Sequence, residues 1–312
     1  MLKFLKNWTL PVAMLTGVFV YLFFANVSLM SPLKPVLRAI IDYLTPMLIF
    51  VMLFVTFCKI SPRELHLRPW HIWLSIIQII GCVVVYHLLL PFDRIVAQAG
   101  LVCVICPTAT AAAVITGKLG GSASSLTTYT LLSNLLTTII VPLIFPLVEP
   151  HAGSGFFTAF LLILAKIFPL LICPFLAACI MQYVFPKMNA RITAVRDLAF
   201  YLWAVSLAIV TGETVKSLMH SNADPNVEIW IAVVALVVCC LQFFLGKTIG
   251  SHYNDRISAG QALGQKNTVL AIWMAYTFLA PLSSVGPGSY VLWQNIINSW
   301  QLWKKRKNEL KQ

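Results

Sequence analysis

Charge is what this sequence has least of. Asp, Glu, Lys and Arg together make up 10% of the 312 residues, whereas hydrophobic residues make up 59%. A soluble domain carries roughly 25% charged and about 45–50% apolar residues, so the composition excludes a soluble globular protein. A membrane span needs roughly 20 apolar residues, and a chain of this length can hold about ten spans. No room remains for a separate soluble catalytic domain.

Signatures of catalytic and metal chemistry are also missing. The sequence has no HExxH or GxSxG motif, and its six histidines lie mostly at the ends of apolar runs. All eight cysteines lie within or at the ends of such runs, so we interpret the Cys103/Cys106 pair as packing and expect neither disulfides nor a zinc site. We therefore expect a membrane protein that is not an enzyme and has no resident cofactor.

Charges, prolines and glycines mark the ends of ten predicted spans. The spans cover residues 8–30, 35–58, 70–91, 95–117, 121–148, 156–185, 192–218, 227–247, 255–279 and 282–303. The first lacks a clean cleavage site and is too long for a signal peptide, so we expect a retained helix.

The net charge of +12 is a topology signal and does not indicate nucleic acid as a partner. Sixteen basic residues fall at the two termini or in alternate loops, and only four, Lys34, Arg38, Arg94 and Lys216, fall on the other side. Lys and Arg concentrate on the cytoplasmic side of membrane proteins. We expect a multi-pass protein of the inner cell membrane with both termini in the cytoplasm.

The ten spans divide in the middle, in a loop without basic residues. Residues 1–150 and 151–312 then contain five spans each, and an odd number inverts the second half in the membrane relative to the first. Inverted repeats of this kind are common in secondary transporters, which bind substrate near the midplane where the halves meet. The predicted fold is all-α, with two inverted five-helix repeats.

The fourth span of each half contains a predicted helix break near mid-membrane. Span 4 carries Pro107, which lacks the N–H that a helix requires, beside Thr108 and Thr110. Span 9 carries two glycines and Lys266, about 15 Å deep if helical. A lysine at that depth is costly and persists only when it is paired or functional. Kinks and packing glycines are the alternative interpretation of both sequences.

Other polar side chains lie close to these breaks in the sequence. In span 5, Thr130 and Asn134 belong to one helical face, which contacts either a ligand or another helix. Gln78 lies in span 3 among Ile and Val, where an unpaired amide is costly. A second intramembrane lysine, Lys166, can reach the headgroups.

The sequences CPTATAAA at 106–113 and GQKNTVLA at 264–271 resemble the two crossover regions of the bile acid:sodium symporter family. The resemblance extends to the span count, the inverted halves and Gln78. It implies a core domain from spans 3–5 and 8–10, in which the broken helices 4 and 9 cross, and a panel domain from spans 1, 2, 6 and 7. It also implies that a small organic anion, such as a bile acid or another carboxylate, binds between the domains, with two sodium ions beside the crossing.

Most of the sodium ligands that the resemblance implies are replaced in this sequence. The family's Ser-Asn pair aligns with Ala112 and Ala113, and its serine in span 5 aligns with Leu126. The family's glutamate in span 9 aligns with Ala262, and its glutamine aligns with Lys266. Only Gln78, Thr130 and Asn267 have the same residue type as the family's ligand at the aligned position.

With these replacements we expect no intact pair of sodium sites. Our hypothesis is that the Lys266 ammonium takes the electrostatic role of a bound sodium and holds free carbonyls of the crossing. The substrate or ion site would comprise Gln78, Pro107, Thr108, Thr110, Ala112, Ala113, Thr130, Asn134, Lys266 and Asn267.

Three alternatives for coupling and function remain open. Transport is proton-coupled if the buried Lys266 titrates, and it is sodium-independent uniport or exchange if the lysine stays charged. An antiporter of Na⁺ and H⁺ would normally need a midplane Asp, which spans 4 and 5 lack. A degenerate site is also compatible with a membrane sensor or channel that performs no coupled transport.

Overall fold

A computed structural model describes residues 9–27, 32, 34–60, 65–150, 155–195, 198–221 and 223–309. These residues are almost entirely helical and form no strand, although one isolated antiparallel bridge joins Thr108 and Lys266. The basic residues Lys3, Lys6, Arg63, Arg196 and Lys311, which belong to the predicted cytoplasmic side, lie outside the described residues.

The helices are numbered here in chain order. Their bounds are α1 Thr9–Asn26, α2 Lys34–Phe57, α3 Pro69–Leu89, α4 Arg94–Ile105, α5 Ala112–Leu119, α6 Ala123–Val148, α7 Phe156–Leu171, α8 Cys173–Val184, α9 Pro186–Ala194, α10 Leu198–Met219, α11 Pro225–His252, α12 Arg256–Gly264, α13 Thr268–Phe278 and α14 Val285–Glu309, with a 3₁₀ turn at Pro281–Ser284 before α14.

Six stretches of the described chain are long and apolar enough to cross a membrane. They are Lys34–Phe57, Pro69–Leu89, Ala123–Val148, Phe156–Val184, Tyr201–Met219 and Pro225–His252. Three shorter apolar helices, Pro11–Asn26, Arg94–Ile105 and Thr268–Phe278, accompany them. Such lengths and compositions are those of a multi-pass α-helical membrane protein.

Several helices start at residues whose side chains satisfy the first free backbone N–H groups. The Asp93 carboxylate accepts from the amides of Ile95 and Val96, at 2.7 and 2.9 Å, and so begins α4. Ser122 Oγ accepts from Ser125 N at 3.2 Å at the start of α6. These polar N-caps explain why the helices begin where the apolar runs begin.

Three of the predicted spans have the wrong bounds. The span predicted at 227–247 ends too early, because α11 continues to His252. The span predicted at 192–218 begins too early, because Pro186 starts a separate short helix, α9, and α10 begins only at Leu198. The span predicted at 282–303 ends too early, because α14 continues to Glu309. The basic side chains in its last turns favour the negative end of the helix, and two of them lie over the rings of Trp300 and Trp303.

The contacts divide the chain into two compact units. The smaller unit comprises Met1–Lys59 and Pro169–Asn222. Its helices α1 and α10 approach closely at Gly17, where an added Cβ would clash with the backbone carbonyl of Ala208. Glycine is therefore required for this packing.

The larger unit comprises Ile60–Phe168 and Ala223–Gln312, and it contains α3 to α6, most of α7 and α11 to α14. Its helices α11 and α12 also pack backbone to backbone, because a Cβ at Gly246 would clash with the carbonyl of Ala259. Small residues at helix contacts of this kind are typical of membrane proteins. All ten residues of the predicted site belong to this unit.

Candidate functional site

Both predicted breaks are present, and the structure brings them together. Residues 106–111 separate α4 from α5, and residues 265–267 separate α12 from α13. Two backbone hydrogen bonds join the breaks: Ala109 N donates to Gln265 O at 2.9 Å, and Asn267 N donates to Pro107 O at 2.9 Å. The four half-helices therefore meet at one short antiparallel bridge, which we call the crossing.

Helix α4 ends at the crossing because three consecutive residues cannot continue its hydrogen bonds. Pro107 has no N–H to donate to Cys103 O. Thr108 N donates instead to Ser133 Oγ at 3.1 Å, and Ala109 N donates across the crossing to Gln265 O. The carbonyls of residues 103, 104 and 105 thus lose their usual helical donors.

Side chains from other helices replace those donors, one carbonyl at a time. Gln242 Nε2 donates to Cys103 O at 3.1 Å. Gln78 Nε2 donates to Ile105 O at 2.7 Å and to Cys106 O at 3.1 Å, and Thr137 Oγ1 also donates to Ile105 O at 3.1 Å. None of these side chains donates to the middle carbonyl, that of Val104, which accepts from Lys266 instead.

Lys266 Nζ donates to Val104 O at 2.9 Å. The lysine is 1% exposed, and its ammonium has no carboxylate within ion-pair distance in the described part of the chain. It lies instead at the negative end of the α4 dipole, where a cation is favoured. Gln294 fixes the lysine backbone, accepting from Lys266 N at 2.9 Å and donating to Lys266 O at 3.3 Å.

The end of α12 is satisfied in the same manner. Thr108 Oγ1 donates to Ala262 O at 2.6 Å, and Tyr290 OH donates to Gly264 O at 2.8 Å. Asn267 Oδ1 accepts from Leu270 N at 3.3 Å and so caps the start of α13. The crossing is therefore held by polar side chains that pair the carbonyl ends of both broken helices.

Some predicted site residues take no part in these contacts. Thr130 Oγ1 donates to Leu126 O at 3.0 Å, and Asn134 Nδ2 donates to Thr130 O at 2.9 Å, so both bonds stay within α6. Thr110 lies in the break and is partly exposed. Among the predicted residues, the crossing itself brings together Gln78, Pro107, Thr108, Lys266 and Asn267.

Four residues that hold the crossing were missed by sequence reasoning, namely Ser133, Gln242, Tyr290 and Gln294. The signal for Gln242 was present, because it is an amide inside the apolar run of α11, where an unpaired polar group is costly. Gln294 follows the same logic in α14. Their partners, backbone groups in distant segments, required the tertiary structure.

The residues at the implied sodium-ligand positions do not fit that ion. Ala112, Leu126 and Ala262 belong to one apolar cluster with Trp70 and Tyr129, and each of them is 0% exposed. Ala113 packs against the same cluster. Of the residues that match the family, Gln78 and Asn267 use their side-chain oxygens to accept from Tyr129 OH and Leu270 N, and Thr130 Oγ1 donates within α6. Sodium requires several oxygen ligands, and hydrocarbon occupies these positions instead.

Comparison with protein families gives a match over part of the chain. A model of the Sodium Bile acid symporter family matches residues 45–221, which is more than half of the chain. No curated protein matches the sequence. With its apolar spans and its matched region, the chain belongs to the sodium bile acid symporter family, a family of secondary transporters of bile-acid-like organic anions.

Proposed function

We propose that this protein carries a small organic anion, a bile acid or a smaller carboxylate, by alternating access without the family's sodium coupling. The observation that carries the proposal is the 2.9 Å contact between Lys266 Nζ and Val104 O. In this proposal the Lys266 ammonium is a cation that belongs to the chain, and an apolar cluster occupies the positions of the implied ion ligands.

The electrostatics of the crossing explain why a cation is needed there. Helix α4 ends at the break, and its Val104 carbonyl lies 2.9 Å from Lys266 Nζ, so the partial negative charge of this helix end lies directly against the ammonium in a low-dielectric environment. A bound cation offsets this charge, and so does a lysine ammonium. Because the ammonium cannot dissociate from the chain, no sodium has to bind before the crossing is complete. Because no sodium ion is then carried with the anion, a sodium gradient does not drive its transport.

The symmetry of the breaks supports the inverted-repeat architecture. The pairs α4–α5 and α12–α13 lie in the fourth predicted span of residues 1–150 and of residues 151–312 respectively. We infer that the smaller unit supplies most of the panel domain and that the larger unit supplies the core domain, with residues Phe156–Phe168 of predicted span 6 grouping with the larger unit. From the distribution of basic residues we also infer that the protein lies in the inner membrane with cytoplasmic termini.

Two modes of transport are compatible with a cation that belongs to the chain. If Lys266 loses its proton during the cycle, a proton gradient drives the anion. If Lys266 keeps its proton throughout, the protein is a uniporter or an exchanger. We favour proton coupling because Lys266 has a carbonyl and thiols around it, and no carboxylate within ion-pair distance in the described residues keeps it charged.

The test is uptake of radiolabelled anions into proteoliposomes with and without a pH gradient. Taurocholate, pantothenate and a keto acid cover the size range of bile-acid-like and smaller carboxylates. A pH-driven uptake that disappears in Lys266→Ala supports proton coupling. The matched control is Lys166→Ala, which removes an exposed lysine of α7 whose ammonium lies 5.7 Å from the centre of the Phe278 ring. Absence of uptake for every anion would contradict the proposed function.

A further inference from the structure

A buried polar stripe follows one face of α14 beyond the crossing. Tyr290, Gln294, Asn298 and Gln301 are four, four and three residues apart, which places them on the same face of the helix. The first two bind the main chain of the crossing, as described above. The last two face α12, where Gln261 Nε2 donates to Asn298 Oδ1 at 2.9 Å and to Gln301 Oε1 at 3.5 Å.

Four buried polar atoms on or next to α12 and α14 have no hydrogen-bond partner among the residues that the structure describes. They are Gln261 Oε1, Gln265 Oε1, Asn298 Nδ2 and Gln301 Nε2. The side chains of Gln261, Gln265 and Asn298 are 0%, 6% and 4% exposed. Unpaired amides are rarely left dry in a protein interior.

The set of unpaired atoms indicates the chemistry of the missing partner. It contains two acceptors and two donors, so a metal ion would leave the donors unpaired and an anion would leave the acceptors unpaired. Water donates and accepts, and buried waters typically make about three hydrogen bonds to groups of this kind. At about 1.5 Å per residue, Gln294 to Gln301 spans roughly 10 Å along the helix, a length for several waters.

We propose that a file of water molecules fills the interface between α12 and α14 and runs from the basic end of α14 to Gln265 and Gln294, beside the main chain of Lys266. It gives water access to the crossing from within the larger unit. The water file rests only on the unpaired amides. Its further use as a route for protons to Lys266 rests on the proposed function.

The groups around Lys266 make a supply of water relevant to any proton exchange. Its titratable neighbours are the thiols of Cys82 on α3 and of Cys103 and Cys106 at the end of α4. No carboxylate of the described residues lies within ion-pair distance of Lys266 Nζ. A proton that leaves the ammonium would pass to a water, which becomes hydronium and passes a proton to the next water, while the amides keep theirs.

Water-edited solid-state NMR of the amide-labelled protein in liposomes measures the file directly. We expect magnetisation to pass from water to the side-chain amides of Gln261, Asn298 and Gln301. Gln78 is the internal control, because it is equally buried but both its amide nitrogen and its oxygen have protein partners. If the amides of Gln261, Asn298 and Gln301 receive no more magnetisation from water than the amide of Gln78 does, the proposal is overturned.

Substitution provides the second measurement. Asn298→Leu should remove the water signal of Gln261, whereas Asn295→Leu, the same change on the same helix, should leave it, because Asn295 Nδ2 bonds to Val291 O at 2.6 Å within α14. If Asn298→Leu does not fold, Gln301→Leu makes the same test nearer the helix end. A Gln261 signal that persists in the folded variant would overturn the proposal. Since water contact is read without transport, the outcome is independent of whether any anion is carried.

Discussion

Replacing Lys266 by Met tests whether the buried lysine is a structural support or a functional cation kept at a cost. Methionine has a similar length and no charge. The substitution leaves Val104 O without its donor at 2.9 Å, which costs about 1–3 kcal/mol for an unpaired buried carbonyl. It also removes the attraction between the ammonium and the end of α4, worth at most about 2 kcal/mol.

The opposing contribution is the desolvation of the ammonium, which is 1% exposed and lacks a carboxylate partner among the described residues. Burying an ion costs several kcal/mol even after the protein relaxes, and Lys266→Met removes that cost. Gains and losses nearly cancel, so we expect the free energy of unfolding to change by less than about 2 kcal/mol. Coupled transport should nevertheless be lost.

Gln78→Leu is the matched comparison at the same crossing. It removes a neutral amide, so no desolvation cost is recovered. Cys106 O loses its donor at 3.1 Å and the Tyr129 hydroxyl loses its acceptor at 3.1 Å, which costs about 2–4 kcal/mol. Thermal unfolding of the purified variants, followed by size-exclusion chromatography, ranks them. A Tm that falls as far in Lys266→Met as in Gln78→Leu would refute the reasoning.

Two further substitutions test the packing and the crossing. Gly17→Ala should destabilise the protein by about 1–3 kcal/mol, because its Cβ clashes with the Ala208 carbonyl; Gly155→Ala, with open space around it, should stay within about 0.5 kcal/mol in the same unfolding assay. Thr108→Val removes the donor to Ala262 O at 2.6 Å and should cost about 1–3 kcal/mol, read as a lower Tm; an unchanged Tm would show that this bond does not hold the crossing.

The helix breaks could be predicted from sequence because their causes are local. Pro107 removes one backbone donor whatever surrounds it, and Lys266 is out of place in any apolar run. The partner of the lysine could not be predicted. Val104 O becomes available only because Thr108 N bonds to Ser133 Oγ, a contact between segments 25 residues apart.

The replaced ion ligands show the same division between local and tertiary information. The sequence shows that Ala112, Leu126 and Ala262 lack oxygens, but their packing into one apolar cluster depends on three different helices. Helix ends were predicted less well, since α9 is an amphipathic helix of nine residues whose composition resembles a loop. The bounds of the long apolar helices were mostly predicted within a few residues, because a buried or lipid-exposed backbone has to form its hydrogen bonds within a helix.

The most direct test of the central claim is the sodium dependence of anion uptake into proteoliposomes at constant pH. With Lys266 in the place of the coupling cation, uptake by the wild-type protein should be the same with an inward sodium gradient as with an equal potassium gradient. Strong stimulation by sodium that survives Lys266→Ala would contradict the account, because it would show a sodium site that owes nothing to the lysine.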